Sequence, residues 1–171
     1  AFLNFPWQIV EKYLWFLPII FLSIISSWKL THSAIGTLIY SLNSYFIMIL
    51  DGGQMGVAMA YAIAPIVFKS LLLFINKFSL DISKRTCVLL SVQIMFDPRM
   101  AYITIMAIII YSLIIKKPRV LFSIAILIFI ALFFNSFWII PLILNGNSIL
   151  TYELSNPESL AFFSFAFLEN T

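Results

Sequence analysis

Six side chains in this sequence have the types and spacing to do chemistry together: Asp51, Gln54, Asp97, Arg99, Asn135 and Trp138. Asp51 and Gln54 flank the Gly52-Gly53 pair, Asp97 and Arg99 flank Pro98, and Asn135 and Trp138 stand three residues apart. A carboxylate can act as general base on a hydroxyl. A guanidinium can hold a phosphate in bidentate fashion or stabilise a leaving phosphate. On a helix, a spacing of three places Asn135 and Trp138 on one face. Plainer roles compete. Asp97 can cap a helix that starts at Pro98. Asp51 can cap a helix or solvate a loop, and Gly52-Gly53 reads more simply as a turn than as a phosphate cradle. Asn135-Ser136 can hydrogen-bond between helices, and Trp138 can anchor at an interface.

What must position these groups is set by the composition. The chain has 171 residues, 63% hydrophobic and only 10% charged, with a mean hydropathy of +1.06. Soluble domains carry roughly 25% charged residues, so the expected solvent for most of this chain is lipid. The 18 Phe, 4 Trp and 7 Tyr suit lipid-facing helices with aromatic interfaces. The fold class expected is all-α, a polytopic transmembrane helical bundle in one domain over residues 1–171. Both ends of the sequence read as cut edges, so a longer parent chain is expected.

The apolar runs predict about six helical segments, at 13–28, 33–50, 55–75, 86–96, 99–115 and 120–144, with an outer tail at 145–171. Pro18 is expected to kink the first span or mark its opening turns. The residue before a proline avoids helix, so Asp97-Pro98 divides 86–96 from 99–115. The run 86–96 spans only about 16 Å at 1.5 Å per residue, too short for about 30 Å of hydrocarbon. It therefore predicts a half-crossing that leaves Asp97-Pro98-Arg99 recessed.

Charge sets the sidedness. Lys29, Lys77, Lys84, Arg85, Lys116, Lys117 and Arg119, seven of the ten basic residues, fall in the connections 29–32, 77–85 and 116–119. The positive-inside rule assigns those connections to the cytoplasm. Only Lys12 and Arg99 lie on the other side, and Lys69 is expected to snorkel to the inner interface. The segment is then integral to the cell membrane, multi-pass, with both termini extracytoplasmic. Asp51, Gln54, Asp97, Arg99, Asn135 and Trp138 converge on the outer face.

Other classes are disfavoured. The lone Cys87 and lone His32 build neither a disulfide framework nor a multi-histidine metal site. A divalent metal is compatible with the two aspartates, but nothing in the sequence indicates one, and the cofactor is left open. The net charge of +3 is spread over short connections, which argues against a nucleic-acid partner. The partners expected are the lipid bilayer, a polyprenyl-phosphate lipid in its grooves, and further subunits. Internal repeats of the transporter kind are not visible.

The stretches "LIYSLNSY" (38–45), "GGQMGVAMAYAIAPIV" (52–67), "DPRM" (97–100) and "NSFWIIPLIL" (135–144) resemble segments of the polytopic membrane proteins of glycosyltransferase type C, especially archaeal and bacterial ones. The matching positions are Tyr40, Asn43, Gly53, Gln54, Ala64, Pro65, Asp97, Pro98, Arg99, Asn135, Trp138 and Pro141. The tail "ESLAFFSFAFLEN" is similar to the start of an outer-face loop in such proteins. The resemblance implies use of a polyprenyl-phosphate sugar donor on the outer face. The convergence of polar groups on that face makes Asp51 and Asp97 the candidate catalytic residues and Gln54, Arg99, Asn135 and Trp138 the candidate substrate-binding ones. The chain departs from the pattern in two places. Asn43-Ser44 stands where relatives often carry Asn-Pro, and the acidic motif of their first outer loop is not identifiable.

Three readings stay open at this stage: a glycosyltransferase-C-type fragment, a transporter or channel-like protein, and a non-catalytic helical subunit of a membrane complex. A transporter should bring an aspartate to the bilayer midplane. A transferase should keep both at the outer rim beside an apolar groove. A packing subunit should have each acid capped or paired.

Overall fold

The computed structural model describes residues 12–115, 118–141 and 143–144. The expected tail at 145–171 lies outside the described residues, as do Lys116 and Lys117. Among the described residues the architecture is all-helical. One compact unit extends to Phe134, and a second begins at Asn135.

In the first unit a π-helical turn, Lys12–Phe16, leads into α1 (Leu17–Thr31). It is followed by α2 (Ala34–Ser41), α3 (Ser44–Asp51), α4 (Met55–Asn76), α5 (Leu80–Phe96), α6 (Pro98–Ile114) and α7 (Pro118–Phe134). Among the described residues, three stretches are long and apolar enough to cross a membrane: Tyr13–Thr31, Ala34–Asp51 and Met55–Asn76.

Local chemistry explains most of the boundaries. Pro18 sits in the opening turn of α1, where a missing N–H costs no helical bond. The expected helix at 33–50 is two helices. Asn43 is extended and its side chain accepts from the Phe46 N–H, so it caps α3 and ends the run begun at Ala34. The expected run 86–96 is longer than anticipated. Ser79 caps α5 from below, accepting from the Ile82 N–H at 3.3 Å. Lys84 and Arg85, assigned to a loop by their charge, instead occupy exposed positions early in this helix. The 17 residues of α5 extend about 26 Å at the α-helical rise. That is still short of about 30 Å of hydrocarbon, and Asp81, Lys84 and Arg85 in the first turns leave the apolar part at 86–96.

Small and hydroxylated side chains bring the helices together. Ser23, Ser26 and Ser27 are buried on one face of α1, and Ala58, Ala60 and Ala62 are buried on α4. The Ser26 hydroxyl donates to the Ala62 carbonyl, and Ser23 donates to the Ser41 hydroxyl at 3.2 Å. Such small-residue seams let helix backbones approach closely. Gln93 of α5 is fully buried and spans two neighbours, donating to the Ala60 carbonyl of α4 at 3.3 Å and the Thr104 hydroxyl of α6 at 2.9 Å.

These contacts fix the helix directions. Along α4 and α5, Gly56 meets Phe96, Ala60 meets Gln93, and Ser70 meets Thr86. The two helices are antiparallel. At one end of the bundle, the Lys69 ammonium donates to the Lys29 carbonyl and lies 3.4 Å from the His32 ring. A cation there satisfies a carbonyl near the end of α1. Lys77, Lys84 and Arg85 lie toward that same end. The opposite end carries Asp51, Gln54, Asp97 and Arg99.

Candidate functional site

At the end opposite the lysines, α6 begins with Asp97-Pro98-Arg99. Asp97 is extended at φ −159°, and its Oδ1 accepts from the backbone N–H groups of Arg99 at 2.7 Å and Met100 at 3.2 Å. Pro98 supplies a first helical residue that has no N–H to satisfy. The same carboxylate holds the Arg99 guanidinium. Nη2 donates to Oδ2 at 2.8 Å, and Nε donates to Oδ2 at 3.2 Å and Oδ1 at 3.3 Å. Burial pushes the Asp97 carboxyl up. The guanidinium's hydrogen bonds and charge, with the two backbone N–H groups, outweigh burial and hold it below the usual carboxylate range.

The two partners differ sharply in exposure. The Asp97 side chain is 5% exposed and that of Arg99 is 77% exposed. The carboxylate is thus a buried clamp, and the guanidinium presents an outward face anchored along one edge. Both oxygens of Asp97 are engaged, which makes it a weak proton acceptor.

Asp51 is the last residue of α3 and is exposed. An acid there opposes the negative end of the helix dipole. It caps no helix and makes no ion pair among the described residues. Gly52 and Gly53 form a turn, as their sequence suggested, with Gly53 at φ +66°, a conformation that favours glycine. Gln54 is exposed and leads into α4 without a side-chain capping bond.

Packing joins this turn to the start of α6. A Cβ at Gly56 would stand 3.0 Å from the Phe96 carbonyl oxygen, so α4 and the end of α5 nearly touch. Ile49, Leu50, Ala58 and Met100 belong to one buried cluster. The end of α3, the start of α4 and the start of α6 therefore share one end of the bundle.

Beneath it lies an aromatic and amide network centred on Tyr61. The ring of Tyr61 stacks on Tyr40 with centroids 4.4 Å apart and on Phe46 at 5.2 Å, and tilts against Tyr45 at 5.8 Å. Asn43 Nδ2 donates to the Tyr40 carbonyl at 2.7 Å and to the Tyr61 hydroxyl at 2.5 Å. The Tyr45 hydroxyl donates to Met100 Sδ at 3.8 Å, tying α3 to α6. A cavity of about 250 Å³ opens beside this network, with Ser27, Thr31, Gly36, Tyr40, Asn43 and Pro65 among its walls. Tyr45 and Tyr61 were not singled out by sequence. Their signal is the close succession of Tyr40, Asn43 and Tyr45 opposite a proline-bearing helix.

Asn135 and Trp138 belong to the second unit. Asn135 stands at a turn after α7, and residues 136–141 are helical. The Trp138 indole donates to Asn135 Oδ1 at 3.0 Å, so the expected shared face is used for a mutual bond. No cluster of three or more metal-ligating side chains occurs among the described residues. No protein family matches this chain, and no curated protein or solved structure matches it either.

Proposed function

We propose that this chain is an integral membrane protein whose acidic end, on the extracytoplasmic side, holds a lipid-linked phosphate at Arg99. The observation that supports this most is the exposed guanidinium of Arg99, braced by buried Asp97, at the same bundle end as Asp51, which makes no ion pair among the described residues. A braced arginine keeps its donors oriented while leaving some free for phosphate oxygens. Asp97 then acts as a positioning residue, and Asp51 is the better candidate base.

On the finer reading, the chain is a glycosyltransferase-C-like enzyme. Arg99 would stabilise the leaving polyprenyl phosphate as Asp51 takes the acceptor's proton. Gln54 would contribute a polar contact at the turn. The topology that goes with this has Lys29, Lys77, Lys84 and Arg85 on the cytoplasmic side.

The test is the affinity of the purified full chain in nanodiscs for a short-chain polyprenyl phosphate, measured by calorimetry. Losing a hydrogen-bonded charge contact lowers affinity by at least about tenfold, so Arg99→Ala should bind that much more weakly. Arg99→Lys should recover part of the loss. Equal affinity in wild type and Arg99→Ala would remove Arg99 from the site.

A second reading is favoured by the full engagement of Asp97 in a cap and an ion pair. It makes the chain a non-catalytic helical subunit whose polar groups only lock helices together. On that reading polyprenyl phosphate does not bind, and Arg99→Ala changes stability alone.

A further inference from the structure

At the other end of the bundle, a groove of about 460 Å³ runs between α5 and α7 and reaches the last turns of α4. Its volume is that of a small-molecule site, about 300–1,000 Å³. The walls are apolar, built by Phe74, Phe78, Val88, Ile126 and Ile130, and among the described residues Ser83, Lys84 and Ser123 bring in polar groups. Lys84 is exposed and makes no ion pair among the described residues. Lys77 and Arg85 are exposed close by in sequence, so cations outnumber the one nearby acid, Asp81.

We propose that this groove binds an anionic phospholipid, with an acyl chain along α5 and α7 and the headgroup phosphate on Lys84. The inference rests on the membrane reading given above. Charge complementarity selects the occupant. An apolar slot with a cationic mouth fits an acyl chain ending in an anion, whereas an uncharged apolar ligand leaves Lys84 without a role. The bundle end is the lysine-rich one, which the positive-inside rule places against the cytoplasmic leaflet, where anionic lipids give a negative surface. The site is separate from Arg99, which lies at the far end of the bundle.

The chain supplies its own reporter. Cys87 is its sole cysteine, is buried, and lines this groove. The full chain is stripped of lipid in mild detergent and given phosphatidylglycerol or phosphatidylcholine. The rate of Cys87 modification by a small methanethiosulfonate is then measured. Phosphatidylglycerol should protect Cys87 at a concentration about fivefold lower than phosphatidylcholine, the contribution of one lysine near an anionic headgroup. Lys84→Glu should abolish that difference. Ser123→Phe, which fills the groove, should protect Cys87 without added lipid. Equal protection by the two lipids in wild type, or an undiminished difference in Lys84→Glu, overturns the proposal. Alkaline carbonate extraction is run in parallel. Release from membranes would instead overturn the membrane reading, whereas retention with no lipid preference sinks the groove alone.

Discussion

The Tyr40 hydroxyl donates a 2.7 Å hydrogen bond to the Tyr61 carbonyl. That carbonyl lies four residues before Pro65, which has no N–H to offer it. A proline inside α4 thus creates an acceptor, and a tyrosine from α2, 21 residues away in sequence, fills it. The bond pins α2 to α4 just below the end that carries Asp51 and Arg99.

This pairing predicts a coupled pair of substitutions. Tyr40→Phe leaves a buried carbonyl unsatisfied and should destabilise the protein by about 1–3 kcal/mol. With Pro65→Ala present, the restored N–H takes the carbonyl, and the same Tyr40→Phe change should have a much smaller effect. Chemical unfolding of the four variants measures the coupling. Strict additivity would show that the two residues do not share this acceptor.

Gly56 gives a prediction of opposite sign to helix propensity. Glycine to alanine inside a helix ordinarily stabilises by about 1 kcal/mol. Here the new methyl would stand 3.0 Å from the backbone oxygen of Phe96, which cannot swing aside as a flexible side chain would. Gly56→Ala should therefore lower the thermal midpoint and loosen the α4–α5 contact. A raised midpoint would mean that the two helices are not so close.

Asp97 links stability to pH. Its carboxyl is held below the usual carboxylate range in the folded protein. The stability it adds is present above the unfolded-state value, about pH 4. It is lost as pH falls through the lower folded value. Asp97→Asn keeps a capping oxygen, so α6 should still form, but this part of the acid dependence should vanish. Unfolding midpoints of the two proteins between mildly acidic and strongly acidic pH test this, and parallel curves would contradict it.

Local chemistry made parts of this fold legible in the sequence. The third span was expected at 55–75 and is α4, Met55–Asn76, because its apolar run is uninterrupted by charge except at Lys69. The Asp97-Pro98 cap was equally legible, since its partners are two and three residues away. The start of α5 was not. Charge at Lys84 and Arg85 was read as loop, yet an exposed helical turn carries charge without penalty. Tyr61 was missed because its role comes from a carbonyl freed by Pro65 and a partner on another helix. No local window contains all three residues.

The account depends on Asp51-Gly-Gly-Gln54 and Asp97-Pro98-Arg99 lying on one side of the membrane and the lysine-rich connections on the other. Single cysteines placed by Gln54→Cys, Arg99→Cys and Lys77→Cys, each with Cys87→Ser, can be labelled in intact cells with a membrane-impermeant maleimide. The account predicts labelling at positions 54 and 99 from outside, and at position 77 only after permeabilisation. Labelling of positions 54 and 99 from opposite sides would contradict it.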